Sequence, residues 1–201
     1  MTPPPTAHIV LLECHPERNS RVVDGIEARV IWTERDALHF TYTVTGDIGR
    51  LRIPPLRAPR QADDLWQHTC FEAFVSVKGD TAYSEFNFAP SGEWAIYGFS
   101  DYRAKIPLAI DPVAPTISIK RKDSSFEMDV EVRLNQLAPR PFDARFRLGL
   151  SAVIEEADGG CSYWALKHPP AKPDFHHPDG FVLEMEPPVL EVENQSFRSE
   201  R

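Results

Sequence analysis

Residues 38–45 and 126–134 constrain the fold most, because apolar and polar side chains alternate along them without a break. Leu38, Phe40, Tyr42 and Val44 alternate with His39, Thr41, Thr43 and Thr45; Phe126, Met128, Val130, Val132 and Leu134 alternate with Glu127, Asp129, Glu131 and Arg133. A period of two belongs to a strand buried on one face, since successive side chains of extended backbone point to opposite sides. No segment sustains the 3.6-residue period of an amphipathic helix, and residues 135–137 make at most one helical turn.

Turn chemistry cuts the chain into short extended runs. Further runs are expected at residues 9–14, 26–33, 51–53, 69–77, 82–88, 94–99, 116–122, 146–155, 161–166 and 181–185. Between them stand Asp24-Gly25, Gly46-Asp47, Gly79-Asp80, Ser91-Gly92, Asp123-Ser124 and Asp158-Gly159-Gly160. The 19 prolines are spread over the connections and not gathered into a stalk. About ten or more short strands at close spacing predict an all-β, antiparallel β-sandwich of jelly-roll type, with one sheet face left concave and polar. At 201 residues a single domain over 1–195 is expected, with a frayed tail at 196–201.

Composition narrows the partners. Hydrophobic residues make up 42% and charged residues 26%, ordinary for a globular protein with a full core. A formal charge of -8 repels phosphate backbones and acidic membrane surfaces, so neither nucleic acid nor membrane is an expected partner. No window reaches the roughly 18 to 20 apolar residues that span a bilayer, and the proline-interrupted start carries no secretory pattern. Cys14, Cys70 and Cys161 form no CxxC pair and are odd in number, which suits a reducing, cytoplasmic setting.

The stretch from residue 65 to residue 88, LWQHTCFEAFVSVKGDTAYSEFNF, carries the candidate site. Alternation puts Phe71, Ala73, Val75 and Val77 on a core face and His68, Cys70, Glu72, Phe74 and Ser76 on the other. On the return strand Ser84, Phe86 and Phe88 face the core, leaving Tyr83, Glu85 and Asn87 opposite. Glu72, Glu85 and Asn87 are therefore expected to share one sheet face, with Trp66 and His68 at its rim.

Motifs for common chemistries are absent: there is no glycine-rich phosphate loop, GxGxxG, HExxH or GxSxG. His168, His176 and His177 lie in one proline-rich loop and could join Glu72 or Glu85 on zinc or iron, although their spacing matches no ligand register. The alternative is a loop stiffened by Pro169, Pro170, Pro173 and Pro178 whose histidines bond the backbone. Two carboxyl groups about 5 to 10 Å apart can also act as acid and base on a glycosidic bond, and Glu72 and Glu85 on adjacent strands meet that range. Carboxylates bind sugar hydroxyls without chemistry as well. Trp32 and Trp94 read as core; Trp66 and Trp164, beside polar loop residues, are the candidates for stacking.

The runs LWQHTCFEAFVSV, YSEFNFAPSGEWAIYGFSDYR and CSYWALKHPPAKPDFHHPDGF resemble the DOMON-like proteins related to the type 9 carbohydrate-binding module. In particular the chain looks like the bacterial subgroup labelled as related to UDP-N-acetylmuramate dehydrogenase, a resemblance that covers residues 38–185. The resemblance implies a β-sandwich that binds sugars or haem. Trp66 and Glu72 match the module's first stacking tryptophan and the glutamate six residues on. Its second stacking aromatic falls on Phe175 and its neighbouring arginine position near Asn87, two departures that bear on sugar specificity. The haem-binding relatives use a methionine and a histidine, a pair that Met128 and Met185 do not supply by position.

The expected function is non-catalytic binding of a small carbohydrate-like molecule, with no cofactor. Pyranose rings offer apolar faces to aromatic side chains and a hydroxyl edge to carboxylates, amides and imidazoles. Trp66, Phe175 and Trp164 are the candidates for the faces, and Glu72, Glu85, Asn87, His68, His168, His176 and His177 for the edge. The alternatives are a metal- or haem-binding protein or hydrolase using the same cluster, and a protein-interaction domain.

Overall fold

The computed structural model describes residues 6–34, 36–134 and 144–188. The expected turn at 135–137 and the tail at 196–201 lie outside the described residues. Thirteen strands carry almost all the regular structure: β1 (His8–Cys14), β2 (Val23–Glu34), β3 (Ala37–Gly46), β4 (Arg60–Gln61), β5 (Cys70–Val77), β6 (Tyr83–Phe88), β7 (Glu93–Asp101), β8 (Ala104–Ile106), β9 (Thr116–Arg121), β10 (Ser125–Arg133), β11 (Phe146–Glu155), β12 (Cys161–Ala165) and β13 (Leu183–Met185). Among the described residues the only helical turns are short 3-10 segments. None is long and apolar enough to cross a membrane.

The strands form a β-sandwich from one continuous curled sheet. Its hydrogen-bonded order is β4-β7-β6-β5-β11-β12-β1-β2-β3-β10-β9, with β8 on the edge of β7 and β13 on β11. The hinge is β1: His8–Leu12 pairs with β2, whereas Glu13 and Cys14 pair with β12. That handover lets one set of strands fold over the other. Every pairing is antiparallel except the two-residue contact of β4 with β7.

The core lies where the inner faces meet. Phe40, Tyr42, Val44, Phe126 and Met128 from one side close on Phe71, Ala73, Val75, Phe86 and Phe88 from the other. Phe71 is the centre, 5.0 Å from the Tyr42 ring and 6.0 Å from the Phe126 ring by centroids. The Tyr42 hydroxyl donates across the sandwich to the Glu72 carbonyl at 2.8 Å, so the one polar atom of that ring is satisfied. The alternation at residues 71–77 and 83–88 thus lies in the expected register.

Three local expectations differ. Residues 51–53 form no strand; Leu51 makes a single bridge to Glu156. The connections at 60–61 and 104–106 hold the short strands β4 and β8. Trp164 packs into the core, its indole nitrogen donating to Ser162 Oγ at 3.0 Å. Tyr163 and Trp164 are adjacent, and the pairing of β12 with β1, where Trp164 stands opposite Cys14, sets which ring faces inward.

Phe71→Ala is expected to cost roughly 3 to 5 kcal/mol, the range for deleting a buried aromatic ring. Urea denaturation checks this through a lower midpoint with unchanged slope.

Candidate functional site

The outward face of the second half of the sheet forms the site, and strand register sets its layout. Glu72 on β5 stands opposite Asn87 on β6 and Ser151 on β11. Glu85 stands opposite Phe74 and Tyr97, so the two glutamates are diagonal neighbours. Val153, opposite Cys70 on one side and Tyr163 on the other, extends the same surface. Over it lies a cavity of 810 Å³, with Glu72, Glu85, Tyr97, Phe99, Val153 and Tyr163 below and Trp66, Arg103, Phe175 and His176 around. Arg18, Asp63, Asp64, Lys105, Lys172, Pro173 and Asp174 complete the wall.

Each wall is fastened. The 3-10 turn Leu65–Gln67 presents Trp66, whose side is 53% exposed. Glu155 holds the segment after it, binding His68 Nδ1 at 2.8 Å through one oxygen and Arg52 at 2.8 Å through the other. On the far side Phe181 stacks on Phe74, with ring centroids 5.6 Å apart. Gly149 permits that approach: a Cβ there would sit 2.7 Å from the Phe181 ring. Arg147 donates to the carbonyls of Phe181 at 3.0 Å and Pro178 at 3.1 Å, pinning the returning loop.

The floor is a buried acidic pair. Glu72 is 3% exposed and Glu85 6%. Ser151 Oγ donates to Glu72 Oε2 at 3.2 Å, and Asn87 Nδ2 donates to Glu85 Oε1 at 2.7 Å. Cys70 donates to the other end of the Asn87 amide at 3.5 Å, which fixes the amide's orientation. Burial raises the pKa of Glu72 well above the ordinary carboxylate value, and the charge of Glu85 adds to the rise. Burial raises Glu85 too, opposed by the Asn87 amide and by the fields of Lys105 and Arg103.

His176 closes the floor from above. The Tyr83 hydroxyl accepts the Arg103 backbone N–H at 3.1 Å and shares a hydrogen bond with His176 Nδ1 at 2.8 Å. The other ring nitrogen, Nε2, faces Glu85 Oε2 at 3.7 Å. Burial, with the nearby Arg103 cation, lowers this histidine's pKa to about 4. Arg103 is itself held by Asp174 at 2.7 Å, and the Lys105 ammonium sits 3.7 Å from the centre of the Tyr97 ring.

Of the candidates read from the sequence, Trp66, Glu72, Glu85, Phe175 and His176 come together on the cavity. Asn87 lies beneath it and orients Glu85. The others lie off it. His68 is tied to Glu155, and Trp164 is in the core. His168 bonds the Glu13 carbonyl at 2.8 Å and packs edge-on to His15. His177 accepts the Asp179 N–H, capping the turn Pro178–Gly180. Among the described residues no three His, Cys, Asp or Glu side chains converge as a metal site. Tyr97, Phe99 and Tyr163 were not foreseen, although alternation along β7 places Tyr97 and Phe99 opposite Trp94 and Ile96, which face the core.

No family model matches the sequence, and no curated protein matches it. The fold is similar to a crystal structure from Bacteroides uniformis ATCC 8492 provisionally described as a carbohydrate-binding protein. The TM-score is 0.63 at 16% identity, over 89% of this chain and 85% of that one. Two structures of a family 9 carbohydrate-binding module from Caldicellulosiruptor kristjanssonii also align. The cellotriose complex does so at TM-score 0.43, 13% identity, 78% of this chain and 73% of that one. The glucose complex does so at TM-score 0.45, 12% identity, 88% of this chain and 80% of that one. These two likenesses are too loose to carry weight. The first establishes a shared β-sandwich fold and nothing about ligand.

The floor groups predict opposite pH dependences. A carboxyl whose folded pKa is raised holds its proton more tightly when folded, so its contribution is full below about 4.5 and is lost as pH rises above that value. His176, lowered from 6.5 to about 4, contributes stability above 6.5 that is lost as pH falls towards 4. Denaturant titrations between about pH 4 and about pH 9 should show Glu72→Gln flattening the alkaline loss and His176→Gln flattening the acid one. Unchanged profiles in both variants would contradict this.

Proposed function

We propose that the cavity binds a small carbohydrate-like molecule without transforming it. The observation that carries this reading is one chamber lined both by a half-exposed indole, Trp66, and by buried carboxyl groups, Glu72 and Glu85. Sugars need both surfaces at once, an aromatic plane for the C–H face of the ring and acceptors for its hydroxyl edge. Tyr163 and Phe175 line the same chamber and offer further ring surface. Its volume falls within the range of small-molecule pockets, about 300 to 1,000 Å³.

Two further findings support the reading. The sequence resemblance to DOMON-like proteins and the type 9 module aligns Trp66 and Glu72 with a stacking tryptophan and its following glutamate. The Bacteroides uniformis structure with the same fold bears a provisional description as carbohydrate-binding. Three free cysteines suit a reducing compartment, and a charge of -8 makes nucleic acid an unfavourable partner.

A thermal-shift screen against monosaccharides, amino sugars, nucleotide sugars, haem and divalent metals tests the proposal. A binding sugar raises the melting temperature by mass action. Trp66→Ala should leave the unliganded melting temperature unchanged, because the ring is half exposed, and should weaken sugar binding roughly tenfold, about 1.4 kcal/mol. A sugar shift untouched by Trp66→Ala, a shift with haem or metal alone, or silence across the panel would overturn it.

A further inference from the structure

Among the described residues, two oxygens on the cavity floor receive no hydrogen bond. Glu72 Oε2 receives Ser151 and Glu85 Oε1 receives Asn87. Among the described residues nothing donates to Glu72 Oε1, and Glu85 Oε2 has only the His176 ring at 3.7 Å. Both carboxyl groups line the cavity while more than nine-tenths buried. Neither oxygen is sealed away from the cavity, so a donor that enters it can reach them.

Nor does a protein cation meet them. Among the described residues no lysine or arginine forms an ion pair with either carboxyl group, because Arg103 is engaged by Asp174 and Lys105 rests on the Tyr97 ring. The fields of Arg103 and Lys105 reach Glu85, but at Glu72 only Arg103 contributes, and least of all the influences there. The cavity is also lined by the aromatic rings of Trp66, Tyr163 and Phe175, whose faces attract cations.

We propose that the ligand presents a protonated amine to Glu72 and Glu85, making it an amino sugar with a free ammonium group. The inference rests on the saccharide reading of the same cavity and narrows it. An ammonium group brings three N–H donors and a positive charge, enough to meet Glu72 Oε1 and Glu85 Oε2 together. A hydroxyl brings one donor and no charge. An acetylated amine loses the charge and adds bulk at the floor, and an anionic group is repelled.

The proposal is tested by calorimetric titration at about pH 7 with glucosamine and galactosamine, their N-acetyl forms, and glucose and galactose. One of the free amino sugars should bind the native protein at least tenfold more tightly than its neutral and acetylated counterparts, the order expected of a charge-assisted contact. Glu72→Gln and Glu85→Gln keep side-chain shape and the donors from Ser151 and Asn87. Each, once shown to be folded by its melting transition, should lose that preference and bind the amine no better than the neutral sugar. Equal or tighter binding of a neutral or acetylated sugar overturns the ammonium inference and leaves saccharide binding standing. A preference that survives both substitutions overturns it too, because the carboxyl groups would not be its source. Failure of every sugar to bind overturns both readings.

Discussion

The pairing of β5 with its neighbours decides the rest of this structure, because both faces of that strand are buried for opposite reasons. Phe71, Ala73 and Val75 form the middle of the core, while Cys70, Glu72 and Phe74 support the cavity. A slip of one residue would exchange the two sets, setting Glu72 in the core and phenylalanines under the cavity. Packing of the Phe71 ring between Tyr42 and Phe126 therefore does two jobs. It supplies much of the local hydrophobic stabilisation, and it locks Glu72 outward. The Tyr42 hydroxyl, bonded to the Glu72 carbonyl, ties the core directly to the floor of the site.

The chamber above that floor is made by loops that behave as extensions of the sheet. Phe181 docks on Phe74, Arg147 clamps the backbone behind it, and Asp174 holds Arg103. On the opposite wall Glu155 binds His68 and Arg52 on either side of the turn bearing Trp66. Histidines in these loops serve three different ends. His177 caps a turn, His168 bonds a main-chain carbonyl, and His176 enters the site as a neutral ring between Tyr83 and Glu85. Proline restricts the loop backbone between them, so these contacts fasten a segment with little freedom to lose.

Placing two carboxyl groups at the bottom of such a chamber is unfavourable for the empty protein. Desolvation raises both pKa values, the charge of Glu85 adds to the rise at Glu72, and among the described residues no lysine or arginine forms an ion pair with either carboxyl group. Strongly perturbed carboxyl groups in a cleft are a recurring feature of functional sites. The cost is tolerable because the strands beneath are buried and rigid on both faces.

Alternation in the sequence by itself determined the β-sandwich, the inward faces of β3, β5, β6 and β10, and the presence of Glu72, Glu85 and Asn87 on a common surface. Those features follow from the two-residue period of extended backbone and the need to bury phenylalanine and valine, both local properties. Tertiary structure alone decided which loops meet over that surface. It brought Arg18, Tyr97, Arg103 and Tyr163 to the cavity and sent Trp164, His68, His168 and His177 elsewhere. Tyr163 and Trp164 show why: the residues are neighbours of similar size, and either could face the core by local preference. The choice belongs to the pairing of β12 with β1, a contact between distant parts of the chain that composition and spacing do not encode.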